Sequence, residues 1–309
     1  MKLAIKPLLI GAASLLLAGA ASWPAFSLRQ SEAPAPAAGF SVEQVTLLTA
    51  DGARLDGVSY RPTTKQRSSA ILLVHGFGSN FYSEYFPQFA RAAAELGYVS
   101  LALNMRDHDT GPKVSDFADN EADIAAGLGY LRKLGNTSFV LLGQSMGTNR
   151  VLYYLAVTGD PTIAATVLVS GPGNLFEWNV WQFGQKKAQA VVDEALELQA
   201  AGHEQQLMLI DLGPLGKSLY TARYLLSLRG PKARSDPYQN IQKVISPLLI
   251  IQGTADKLIA PDIATRLKKA ATSSHKVDLI YIDGADHSFR KQEGVLAQRV
   301  LAWLKEVAP

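Results

Sequence analysis

Ser145 sits between Gly143 and Gly147 in "FVLLGQSMGTNRVLYYL" (residues 139–155). The apolar run 139–142 reads as a buried strand, and 151–155 continues a helix. A five-residue strand-to-helix turn forces its central residue into a strained backbone conformation, and flanking glycines let neighbouring backbone come close. The serine oxygen is then held above the sheet, with a helix N-terminus behind it that favours developing negative charge. A Gly-x-Ser-x-Gly pentapeptide alone is a weak signal, expected about 0.1 times by chance in a chain of this length. Its strand-and-helix context makes it strong, against the alternative of a tight turn without chemistry.

Serine at neutral pH is a poor nucleophile and needs a base. The chain has five histidines: His75, His108, His203, His275 and His287. His287 follows the last strand signal, in "YIDGADHSF", and falls on the sheet edge expected for Ser145. His203 lies in an insertion, His275 precedes a strand, and His75 and His108 follow earlier strands. The base in turn needs an acid to fix its tautomer and stabilise the imidazolium. Asp256, in "IIQGTADK", is the first choice and Asp286 the second, because a near neighbour along a loop seldom points back at the ring. A developing oxyanion needs donors. The backbone N–H of Met146 and that of Phe77, in "HGFGSN", are the candidates.

The elements that must position these groups alternate. Strand signals at 70–76, around 98–106, at 139–142, 163–171, 247–256 and 277–287 are separated by helix signals. A segment alternating around Asp51-Gly52 suggests an opening hairpin. Short apolar runs with helices between them imply a mostly parallel sheet of eight strands, covered by helices on both faces, with the first pair antiparallel. From about 174 to 245 no convincing strand is evident. Two helical patterns, over 183–204 and 215–230, suggest a helical lid leaving from a strand's C-terminal end, where ligands bind in open α/β sheets. The bland alternative is an enlarged crossover. "WNVW" (178–181) supplies large apolar side chains, and Trp178 is a candidate pocket wall.

The residues "HGFG" (75–78), "GQSMG" (143–147), "GTAD" (253–256) and "GADH" (284–287), in that order, resemble the α/β-hydrolase superfamily over roughly residues 41–309. The similarity is to its lipase, esterase and serine-aminopeptidase-like branch. The resemblance implies an α/β-hydrolase sheet of eight strands with a helical lid, and hydrolysis through an acyl-enzyme without metal or organic cofactor. The leading expectation is therefore a serine esterase with Ser145, Asp256 and His287 as its triad. A peptidase, amidase or acyltransferase with the same triad stays open, and so does a silent binding protein on the same fold. His75, Gly76, Gln144, Arg106 and His108 are further candidates for substrate contact. "NMRDHDTG" (104–111) departs from the family's usual "RGHG". Reading Asp107, His108 and Asp109 as metal ligands is disfavoured, since adjacent positions rarely converge on one ion.

Composition narrows the setting. The chain is 48% hydrophobic and 18% charged, an ordinary globular balance. Its net charge is +3, and without Lys2 and Lys6 it is +1. No basic run suggests nucleic acid. With no cysteine, disulfides and thiolate chemistry are excluded. Residues 1–27 have two lysines, a long uncharged run and then small residues, the layout of a secretory signal peptide. This predicts an exported, periplasmic or secreted protein, with an uncleaved membrane anchor as the alternative. Residues 28–39 read as a Pro/Ala-rich linker and 40–309 as the folded domain. The partner expected is a small ester or amide.

Overall fold

A computed structural model describes residues 39–83 and 85–308. The leader and the linker through residue 38 lie outside the described residues. Among the described residues no helix is long and apolar enough to cross a membrane.

The chain opens with the expected hairpin. Strands β1 (Phe40–Leu48) and β2 (Arg54–Pro62) pair antiparallel, with Leu48 opposite Arg54. Six more strands complete the sheet: β3 (Ser69–Val74), β4 (Val99–Leu103), β5 (Ser138–Gln144), β6 (Ile163–Val169), β9 (Leu248–Gly253) and β10 (Val277–Ile282). Strands β7 (Leu207–Asp211) and β8 (Lys217–Thr221) form a separate antiparallel hairpin. The order across the large sheet is β1-β2-β4-β3-β5-β6-β9-β10. Every pair from β4 to β10 is parallel.

Strands β3 to β6 and β9 are mostly apolar and buried, because both faces of the sheet are covered there. Successive side chains point to opposite faces. Ile71 and Leu73 enter one core with Val140, Leu142, Leu249 and Ile251, while Leu72 and Val74 enter the other with Leu141 and Ile250. Helix α1 (Phe86–Glu95) caps the first face. Its buried residues Phe86, Phe89, Ala90, Ala93 and Ala94 follow helical spacing, and Gly97 at φ 88° turns the chain into β4. Helix α9 (Glu293–Val307) lies beside it and buries Leu296, Val300, Leu301 and Leu304. Helices α2 (Asn120–Lys133), α3 (Met146–Thr158) and α8 (Ile263–Ala270) cover the second face.

Parallel register brings the strand C-termini to one edge. Val74 pairs with Gly143, Gln144 with Val169, and Ile282 with Gly253. The loops carrying Phe77, Ser145, Asp256 and His287 all leave from that edge, at a topological position suited to ligand binding.

The insertion between β6 and β9 differs from the sequence expectation. It contains α4 (Leu175–Phe183), α5 (Gln185–Ala200), the β7–β8 hairpin, α6 (Ala222–Arg229) and the short α7 (Pro237–Asn240). The first helical pattern is α5, but the second divides between strand β8 at its start and helix α6. The physical reason is period-two alternation: Met208 and Ile210 are buried while Leu207 and Leu209 are exposed, and across the hairpin Ser218 and Tyr220 are buried while Leu219 is exposed. Gly213-Pro214 and Gly216 make the turn between them. The insertion has its own apolar cluster, which also takes in Met146 and Tyr153 of α3.

Candidate active site

Ser145 has φ 52° and ψ −126°, a conformation that non-glycine residues rarely adopt. Strain of this kind costs about 1–3 kcal/mol and persists only where the surroundings enforce it. Here Ser145 N–H donates to Val169 O at 2.8 Å, and Thr148 N–H and Oγ1 both donate to Ser145 O, at 2.9 and 2.8 Å. The flanking glycines answer to close approach. A Cβ on Gly147 would stand 2.1 Å from Val74 O, and one on Gly143 would stand 2.5 Å from Gly147 O.

His287 follows β10 in a loop pinned from several sides. Asp286 accepts from the N–H groups of Ser288 and Arg290, at 3.1 and 3.0 Å. Phe289 is buried in the core, and Ser170 Oγ donates to His287 O at 3.1 Å. The carboxylate at the imidazole is that of Asp256: His287 Nδ1 lies 2.8 Å from Asp256 Oδ2. Asp286 is occupied by its own turn. The Asp256 side chain is wholly buried and that of His287 is 13% exposed. Leu258 N–H donates to Asp256 Oδ1 at 2.8 Å, and Gln252 Nε2 to Oδ2 at 3.3 Å. Charge-assisted bonds of this kind stabilise a buried carboxylate.

Ser145 and His287 line one cavity of about 40 Å³, together with Phe77, Met146, Leu258 and Ile259 of the body. The insertion supplies Leu175 and Trp178 from α4, Leu212 and Leu215 from the hairpin, and Arg229 from α6. Trp178 is fixed by its indole N–H, which donates to Leu258 O at 2.7 Å. In this arrangement Ser145 Oγ and the imidazole are not hydrogen bonded to each other, and such contacts often close only around a substrate. The N–H groups of Phe77 and Met146 have no acceptor among the described residues.

The other sequence candidates are placed elsewhere. The His75 ring is buried, with Nδ1 2.7 Å from Gly76 O and Nε2 accepting from Met105 N–H at 3.0 Å. Nε2 stitches the end of β3 to the β4 loop, and Nδ1 is taken by the next residue of its own loop. Burial, with the Arg150 charge adding to it, pulls the His75 pKa down to about 3. Gly76 and the buried Gln144 sit beside Ser145 without lining the cavity. Arg106 is bound to Asp51 and Asp123 at 2.7 Å each and lies 3.5 Å from Asp119, joining the first hairpin turn to α2. These bonds hold the Asp51 carboxyl well below the usual range. His108 is exposed and pairs with Asp109 at 2.7 Å.

The run 107–109 does not converge on one point. Asp107 turns inward, where both its oxygens accept from Nη2 of the fully buried Arg150, at 2.7 and 2.9 Å. Tyr224 of α6 donates to the same carboxylate. Burial opposes the Asp107 charge, but Arg150 outweighs it and the carboxyl stays below its ordinary value. The buried Lys113 ammonium donates to the carbonyls of Asp107, His108 and Asp109. Lys113 also pairs by its backbone with the hairpin, N–H to Leu219 O at 2.8 Å and O from Thr221 N–H at 2.9 Å. The sequence showed the acids and the basic residues but not that they meet. It also missed Gln252, Ser170 and Arg229, and the only local signal for the hairpin wall was the alternation around Gly213-Pro214.

A family model described as the alpha/beta hydrolase family matches residues 71–298. A search of the curated proteins finds no match. Among solved structures, the esterase domain of a Rhodothermus marinus protein is 20% identical, with 86% of this chain and 98% of that one covered and a TM-score of 0.60. The Pyrococcus furiosus esterase Pf2001 is 19% identical, covering 87% and 92%, with a TM-score of 0.62. Est1E from Butyrivibrio proteoclasticus is 16% identical, covering 87% and 98%, with a TM-score of 0.61. At these identities the likeness is one of fold.

Proposed function

The chain belongs to the alpha/beta hydrolase family, and on that premise we propose that it is a serine hydrolase cleaving small carboxylic esters through an acyl-enzyme. The observation that carries the reading is the His287–Asp256 contact of 2.8 Å at a cavity that Ser145 also lines from its strained turn. Ser145 Oγ attacks the acyl carbon and its proton passes to His287 Nε2. Asp256 holds the proton on Nδ1 and stabilises the imidazolium. The N–H groups of Phe77 and Met146 receive the oxyanion, each such donor being worth about 3 kcal/mol of barrier. His287 then protonates the departing alkoxide, and a water molecule repeats the sequence to release the acid. The steps use side chains, backbone and water.

The insertion acts in this reading as a lid. A cavity of about 40 Å³ holds little more than water, so substrate entry requires the wall to move. Tyr224 and the Lys113 backbone anchor the α6 side, and Trp178 and Glu177 anchor α4 to Leu258 and Arg266, which leaves the hairpin tip at 212–215 as the moving part. Esterases among the structural neighbours favour an ester over an amide. An amide-cleaving or acyl-transferring enzyme with the same groups is the second reading, and side-by-side assays of aminoacyl amides and short-chain esters separate them. The N-terminal layout supports export, which the mass of the mature chain from a periplasmic fraction tests.

The experiment on the central claim is Ser145→Ala assayed on a p-nitrophenyl ester. The variant should fold and lose turnover by at least about 10⁴-fold, together with fluorophosphonate labelling. Undiminished hydrolysis refutes the assignment.

A further inference from the structure

The cavity lining holds one permanently charged residue, Arg229. It is the last residue of α6 and is only 6% exposed. Its Nε donates to Asn179 Oδ1 at 3.3 Å, while Nη1 has no partner. No carboxylate among the described residues pairs with it, although the other buried guanidinium, Arg150, holds Asp107 at 2.7 Å. The Tyr220 ring also lies beside it, with the guanidinium carbon 5.8 Å from the ring centroid, and Arg229 borders a second pocket with Asn174 and Glu177. Around it the lining is apolar: Phe77, Leu175, Trp178, Leu212, Leu215 and Leu258.

A buried cation without a counter-charge is unfavourable unless something supplies one. A guanidinium offers five N–H donors in a planar fork that matches a carboxylate. A position at a helix C-terminus gives some compensation through the backbone dipole, but it leaves Nη1 without an acceptor. We infer that Arg229 recognises a carboxylate carried by the substrate, so that the protein acts on anionic esters with an otherwise apolar body. The inference rests on the serine hydrolase reading above and names the substrate class of that site. Arg229 would set specificity by holding the anion while the ester carbonyl lies over Ser145. The anion belongs either to the acyl part or to the alcohol, and recognition chemistry is the same for both.

Two substrate pairs test this on the whole mature protein. Mono-p-nitrophenyl glutarate against p-nitrophenyl valerate probes the acyl side. Para-acetoxybenzoate against its methyl ester probes the leaving-group side. In one pair the anionic member should have the higher kcat/KM, by roughly 10- to 100-fold, as expected for a hydrogen-bonded charge. Arg229→Gln should bring that ratio close to one, and Arg229→Lys should retain part of it. Wild-type ratios near one in both pairs overturn the inference, as does a preference that survives Arg229→Gln. If Arg229→Gln fails to fold, the wild-type ratios decide. If the wild type cleaves none of the four esters, the hydrolase reading fails separately. Calorimetric titration of wild type with glutarate and with glutaramide then decides the anion site: tighter glutarate supports it, and equal or absent binding overturns it.

Discussion

His75 makes the protein's acid stability predictable. Its ring is buried, Nε2 accepts from Met105 N–H, and Nδ1 faces Gly76 O. That arrangement requires the neutral tautomer with hydrogen on Nδ1, and a second proton on Nε2 would face a donor. Burial and Arg150 accordingly depress the pKa from 6.5 to about 3. Below pH 6.5 the unfolded chain therefore binds a proton that the folded chain refuses. Stability from this group is fully present above pH 6.5 and is lost as pH falls toward 3. Each unit of pH in that window removes about 1.4 kcal/mol. By pH 4.5 the loss is roughly 2.7 kcal/mol, and by pH 3 about 4.4 kcal/mol, close to the lower end of the whole stability of a domain. The perturbation is His75→Gln, compared with wild type by urea denaturation between pH 7 and 4.5. Taking the difference between the two proteins cancels the other titrating groups. The variant should be the less stable at pH 7, since it disturbs two buried hydrogen bonds. Its disadvantage should shrink by about 2–3 kcal/mol at pH 4.5. A difference that stays constant across that range refutes the reasoning.

Gly147→Ala drives a Cβ to 2.1 Å from Val74 O, a backbone atom in the middle of the sheet edge. It should lower stability by at least about 3 kcal/mol in urea melts, and an unchanged midpoint refutes the packing argument. Tyr224→Phe removes the hydroxyl that binds buried Asp107. It should cost about 1.5–3 kcal/mol and increase hydrogen exchange in α6 and β8, and no change in either measure contradicts the anchor. Trp178→Ala enlarges the wall beside Ser145, at about 3–5 kcal/mol of stability. Longer acyl chains should gain in kcat/KM relative to short ones, and an unaltered chain-length profile contradicts the role of Trp178.

Fold class was legible in the linear text, and so were the candidate groups Phe77, Ser145, Asp256 and His287. Periodicity revealed the strands, because apolar runs such as 70–74 and 139–142 have to be buried on both faces. The glycines around Ser145 marked the turn, because only they admit the close approach of Val74 O and Gly147 O. Parallel strands then carry the loops of Phe77, Ser145, Asp256 and His287 to one edge, a consequence of connectivity that a linear text contains. The tertiary structure alone decided which polar residues found partners. Arg106, His75 and Arg150 look alike in the text, as polar residues near the site. Long-range packing turned the first to Asp51 and Asp123, the second to backbone groups and the third to Asp107. It also decided that the insertion contains a hairpin, since β7 and β8 gain strand structure only by pairing with each other and with Lys113. The unpaired state of Arg229 belongs to the same class. Whether a charge is satisfied depends on every neighbour that folding brings to it, and those neighbours are scattered along the chain.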